Sequence, residues 1–148
     1  MGSTSTFRHI DLLKYSTNLF DELDKYKNTE IDHKYMVTKF IPKVHTLFND
    51  EIYNEDNKNN GANFIVGVGN KLFEVQEDYS VLQPELGFCS VGCGESVAMG
   101  SLITTKDDDL SIPDKIKKAL EATENYCCGV QRPFRIINTK NEEEIVIR

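Results

Sequence analysis

Nowhere in the 148 residues do about eighteen apolar residues follow one another, so the sequence offers no membrane-spanning helix. The N-terminal stretch also lacks an apolar run behind a basic one, which argues against a secretory signal and predicts a cytoplasmic protein. Positive charge is scarce. Against 24 Asp and Glu stand 17 Lys and Arg, a net charge of −7, and no basic stripe interleaved with aromatics offsets the deficit. Acidic clusters at residues 51–56, 107–109 and 142–144 would repel a phosphate backbone, so no nucleic-acid partner is expected. They read as solvated loops and a tail. The 4 cysteines, Cys89, Cys93, Cys127 and Cys128, match no zinc-ligand spacing, and without an export signal their thiols are expected to stay reduced. Neither a metal nor a cofactor is expected. No internal repeat is visible.

What is present suits one soluble domain: 39% hydrophobic and 28% charged residues, on a chain long enough to bury a core. Phe7, Ile10, Leu13, Leu19, Phe20 and Leu23 recur at helical spacing, which predicts an amphipathic helix over residues 7–26. A second helix, over 32–48, carries Met36, Phe40, Val44 and Leu47 on one stripe with Val37, Ile41 and Phe48 beside it. Pro42 is expected to kink it or to start a new turn there. Residues 49–61, rich in Asn and acid, lose all periodicity and read as an exposed loop.

Beyond the loop the period changes to two. Runs at 64–68 and 71–76 flank Gly69-Asn70, a pair suited to a tight hairpin turn with positive φ. Gly67 and Gly69 form a G-x-G, but no helix opens behind them, which excludes a dinucleotide fingerprint. Residues 79–92 predict one or two further strands broken near Pro84. The small-residue stretch SVGCGESVAMGS (90–101) leads into a short helix over 95–102. Ser111, with Asp114 three residues on, can cap another helix to about residue 128, with Ile116, Leu120, Thr123 and Cys127 on its stripe and Gly129 as its stop. FRIINT and EIVIR read as closing strands. Runs of helices followed by runs of strands indicate an α+β layering of helices on an antiparallel sheet.

The succession TKFIPKV (38–44), FIVGVGNKLFEV (64–75), GFCSVGCGESVAMGSL (87–102) and KALEATENYCCGVQRPFRII (118–137) resembles the later portion of HslV-like peptidases, bacterial and phage relatives of the proteasome β subunit. The resemblance implies an incomplete αββα N-terminal-nucleophile hydrolase sandwich, with an antiparallel sheet and flanking helices, as a single N-terminally truncated domain over 1–148. In that family the turn from strand into helix passes beside the catalytic centre, where small residues let backbone and substrate approach. Cys93 and Gly94 then occupy auxiliary catalytic positions. Cys93 stands where the family has a serine that hydrogen-bonds at the nucleophile's amino group, and a thiol is the weaker partner. Ala98 and Gly100 read as close helix packing.

Family members use an N-terminal threonine whose own amine is the base, set on a hairpin that also supplies an aspartate and a lysine. Here MGSTST runs straight into the first predicted helix. Gly2 echoes the oxyanion-hole glycine only weakly. Thr4 or Thr6 would become terminal only after trimming, and neither is followed by a strand or by suitably spaced Asp and Lys, so no nucleophile is identified. Cys93 with His9, His33 or His45 is a conceivable thiol–imidazole pair. All three histidines fall on the first two predicted helices, however, with His9 and His33 reading as solvated or capping residues and His45 as an edge residue. Cys127 reads as a buried small apolar group and Cys128 as turned to the opposite side of the same helix.

The resemblance thus implies a proteasome-like threonine-peptidase subunit that is inactive alone or one part of a split enzyme. The alternative is a non-catalytic assembly or shell subunit, and a third reading is an unrelated α+β binding module. The implied partners are a homo-oligomeric ring, a complementary N-terminal fragment or an ATP-dependent unfoldase, in a bacterial or phage-infected host cytoplasm.

Overall fold

Gly69 and Asn70 take φ values of 56° and 65°, the left-handed pair that a two-residue hairpin turn requires. The strands on either side are β2 (Phe64–Val68) and β3 (Lys71–Val75). This computed structural model describes residues 2–3, 7–16, 19, 31–51, 61–138, 140–141 and 143–148. Contacts divide the chain into two units, Met1–Gly92 and Cys93–Arg148.

In the first unit the hairpin register sets Phe64 opposite Val75 and Val66 opposite Phe73, so all four side chains share one face. All four are buried. A short β4 (Val81–Leu82) pairs with β3, and β1 (Gly2–Ser3) pairs with β2 through Gly2↔Ile65 and Ser3↔Phe64. The antiparallel order is β1-β2-β3-β4. One expectation changes here. The N-terminal residues do not run directly into a helix: Gly2 and Ser3 first engage the outer backbone groups of β2, which an edge strand otherwise leaves unsatisfied. Residues 79–92 form one strand, β4, as expected broken off near Pro84, where the chain turns: Gly87 donates to the Pro84 carbonyl at 3.2 Å and adopts φ 75°.

Helix α1 (Phe7–Tyr15) buries Leu13 and packs along α3 (Ile41–Glu51). Ser16 is not helical, so the single helix expected over 7–26 is interrupted there; Leu19 is helical and buried again, and residues 17–18 and 20–26 lie outside the described residues. Of the loop expected over 49–61, residues 49–51 instead continue α3, and 52–60 lie outside the described residues. Asp32 caps α2 (His33–Tyr35) by accepting from the Tyr35 amide at 2.7 Å. Two long-range bonds tie this helix start to the sheet: His33 Nε2 to the Val81 carbonyl at 2.9 Å, and Lys71 Nζ to the Ile31 carbonyl at 2.7 Å.

Between α2 and α3 the chain makes a π turn, Met36–Phe40, closed by the Ile41 amide on the Met36 carbonyl. Pro42 accounts for its position. A proline ring collides with the carbonyl four residues earlier in an α-helix, and widening the turn relieves that clash. The extra residue held by a π turn moves the buried face one position onward, so Phe48 is fully buried and Leu47 only partly. Met36, Phe40, Val44 and Phe48 form the stripe that meets Phe64, Phe73 and their neighbours in the core.

The second unit contains α4 (Glu95–Thr105) packed on α5 (Ile112–Tyr126), with α5 packed in turn on β5 (Phe134–Asn138). β5 pairs antiparallel with β6 (Glu143–Ile147), Ile136 opposite Ile145. Ser111 caps α5 as its sequence predicts, its Oγ accepting from the Asp114 amide at 3.3 Å. Helix α5 stops at Tyr126 because Cys127 is already extended, at φ −113° and ψ 117°. Past that point Arg132 folds back on the helix: its guanidinium donates to Glu121 Oε1 at 2.8 Å and to Glu124 Oε2, and its amide donates to Glu124 Oε1 at 2.9 Å. Among the described residues no helix is long and apolar enough to cross a membrane, and no group of three or more His, Cys, Asp and Glu could hold a metal ion.

Candidate functional site

The turn into α4 is shaped by what its glycines leave out. Gly92 adopts φ 117°, which L side chains rarely tolerate. Gly94 has an ordinary φ of −98°, but a Cβ there would stand 2.0 Å from Thr123 Cγ2 and 3.3 Å from Val130 Cγ2. The turn therefore lies directly against the last turns of α5. From the other side, a Cβ on Gly129 would stand 2.6 Å from Cys93 Sγ. Gly129 is more than a helix stop: it vacates the space that the Cys93 sulfur fills.

Cys93 and Gly94, the two sequence-predicted site residues, are adjacent in this turn, and Cys93 is exposed. Its sulfur lies 3.4 Å from Cys127 Sγ, within thiol–thiol hydrogen-bond distance. That shared hydrogen bond, then desolvation, pushes the Cys93 thiol above its ordinary range. A thiol held protonated is a slow nucleophile near neutral pH. Cys127 departs from its sequence reading. It is half-buried and faces Cys93 because the helix ends one residue before it, and Cys128 lies beyond the helix, exposed.

The other expected positions resolve individually. Ala98 is buried on α4, but nothing lies within 4 Å of a Cβ built on Gly100, so close packing does not explain that glycine. Gly2 belongs to β1, whereas Thr4 and Thr6 lie outside the described residues. No histidine occurs in residues 93–148. In the first unit His9 is buried, not solvated, and stands edge-on to Phe48 at 4.6 Å between ring centroids. His33 is bonded to Val81, and His45 lies edge-on to Tyr79 at 4.9 Å. Each imidazole thus has a structural contact of its own.

The sequence reading missed the Cys93–Cys127 contact. Its only trace in the sequence is a glycine close to each cysteine, Gly94 after Cys93 and Gly129 two residues after Cys127, and neither glycine names its partner. What the cluster offers chemically is a pair of touching thiols, one accessible, at the junction of a helix start and a helix end.

No protein-family model matches the chain, and no curated protein matches it. Solved structures do match. The crystal structure of eukaryotic HslV from Trypanosoma brucei aligns with a TM-score of 0.62 over 88% of this chain and 69% of that one, at 16% identity. The fold is HslV-like. At this identity the likeness is one of architecture, and the expected α+β class, with an antiparallel sheet and flanking helices, is what the structure shows.

Proposed function

We propose that the chain is a subunit of an HslV-like, proteasome-type peptidase assembly, cytoplasmic and ring-forming, that does not cleave peptides by itself. The observation that carries this reading is the fold likeness to HslV across 88% of the chain. Under this proposal residues 1–148 act as one proteasome-like domain, and the threonine nucleophile is supplied by a complementary Thr-led segment. Cys93 and Gly94 then border the completed centre as auxiliary groups. An ATP-dependent unfoldase would feed such a ring.

One observation favours the second reading, a non-catalytic assembly or shell subunit. The outer side of β2, where an added strand would dock, is already engaged at Phe64 and Ile65 by β1. Fluorogenic peptide hydrolysis separates the two. The purified chain is expected to show no turnover above a blank, and a threonine-directed covalent inhibitor no adduct by intact mass. Co-expression with a Thr-led hairpin fragment from a related subunit restores turnover in the split enzyme and leaves the shell subunit silent. Stoichiometric inhibitor labelling of a trimmed chain at Thr4 or Thr6 would overturn the claim that the chain alone is inactive.

A further inference from the structure

We propose that Cys93 and Cys127 are a site of reversible oxidative modification, closing to an intramolecular disulfide in exchange with a low-molecular-weight disulfide such as oxidised glutathione. The sulfurs already lie 3.4 Å apart. A disulfide bond is about 2.05 Å long, so closure needs a further approach of roughly 1.4 Å. Both residues sit where the backbone can supply it. Cys93 lies between Gly92 and Gly94 in the turn before α4, and Cys127 is extended, one residue beyond the end of α5. Gly129 keeps the approach open, since a Cβ there would stand 2.6 Å from Cys93 Sγ and 3.9 Å from Cys127 Sγ. Cys93 is exposed, so a small oxidant can reach it.

The exchange balances as follows. One protein thiol loses its proton and attacks a sulfur of the small disulfide; that S–S bond breaks, and one small thiolate leaves. The second protein thiolate then attacks the protein sulfur of the mixed disulfide and expels the other small thiolate. The two cysteines lose two electrons and two protons in total, and the small disulfide is reduced to two thiols. The bond links positions 34 residues apart and fastens the turn at the start of α4 to the end of α5. It restricts the unfolded chain as a loop closure does, so oxidation raises the unfolding midpoint.

The test uses the full chain, reduced and then equilibrated against glutathione at a series of oxidised-to-reduced ratios. The thiols are quenched by alkylation and mapped by proteolysis and tandem mass spectrometry without reductant. The expected product is a Cys93–Cys127 link, two hydrogens lighter than the dithiol, that dithiothreitol removes. Cys93→Ser and Cys127→Ser each abolish the link and leave a glutathione adduct on the remaining cysteine, whereas Cys128→Ser retains it. Gly129→Ala is expected to lose the link while Cys93 remains alkylatable. Circular dichroism of each variant confirms that the fold persists, and the two serine variants decide the matter if Gly129→Ala does not fold. A link between Cys127 and Cys128 or between Cys89 and Cys93 would overturn the proposal. So would glutathione adducts that never resolve, or thiols that remain reduced across the whole series.

Discussion

Gly94 has room for a hydrogen and no more. An added methyl would meet Thr123 Cγ2 at 2.0 Å, and Thr123 is itself buried, its hydroxyl donating to the Ala119 carbonyl at 2.7 Å. Gly94→Ala is therefore expected to destabilise the chain by about 1–3 kcal/mol. Adding Thr123→Ser removes the obstructing methyl while keeping the hydroxyl, so the double variant should recover part of the loss in urea unfolding; strictly additive losses would refute the contact. The neighbouring thiol makes a different prediction. The hydrogen bond with Cys127, followed by desolvation, raises the Cys93 pKa, with Cys127 and Cys128 as the nearby titrating groups. A raised pKa leaves less thiolate at any given pH, so alkylation of Cys93 should stay slow near neutrality and climb only above the ordinary thiol range. In Cys127→Ala the climb should begin at lower pH, as a pH–rate profile followed by peptide mass would show. An identical profile in both proteins would remove the hydrogen bond as its cause.

Elements in this fold are set by short local signals wherever those signals suffice. Positive φ at both Gly69 and Asn70 makes the β2–β3 turn intolerant of branched side chains. Gly69→Val should lower stability by about 1–2 kcal/mol, the approximate penalty for forcing an L residue into the left-handed region. The double variant Gly69→Asn with Asn70→Gly reverses the pair into the Asn-Gly order this turn type prefers, and it should leave thermal unfolding unchanged or slightly raised. If Gly69→Val unfolds at the same temperature as the parent, the turn geometry is wrong. The second helical segment shows where local signals fall short. Helical spacing alone places Leu47 on the main stripe, but the π turn before Pro42 adds a residue, and Phe48 becomes fully buried instead.

For the whole molecule, the question is whether the chain associates. β1 covers β2 only at Phe64 and Ile65. In the second unit Ile137 is 64% exposed and Val146 45% exposed on the β5–β6 ribbon. Strand edges and exposed apolar side chains both favour association. The proposed subunit should therefore elute as species larger than a monomer in size-exclusion chromatography with light scattering, or form a defined complex with a Thr-led hairpin fragment. A monodisperse monomer across a concentration series, indifferent to that fragment, would count against the ring-forming reading.

The sequence by itself determined the elements whose causes lie within a few residues. The Gly69-Asn70 hairpin, the Ser111 cap of α5 and the four-residue spacing of Met36, Phe40 and Val44 are all of this kind, and they carried the α+β class with them. A turn or a cap is decided by the φ/ψ preferences and hydrogen bonds of neighbouring residues, and these are written in the residue types. The tertiary structure alone decided what depends on distant partners. Cys127 reads as an apolar helix residue until the end of α5 brings its sulfur against Cys93, 34 positions earlier. Gly94 shows its constraint only beside Thr123, and Gly2 and Ser3 become a strand only because β2 presents backbone groups to be satisfied. His9, polar in the sequence, is buried against Phe48 because α1 packs along α3. Each of these depends on two segments meeting in space, and neither segment's composition specifies which other segment it will meet.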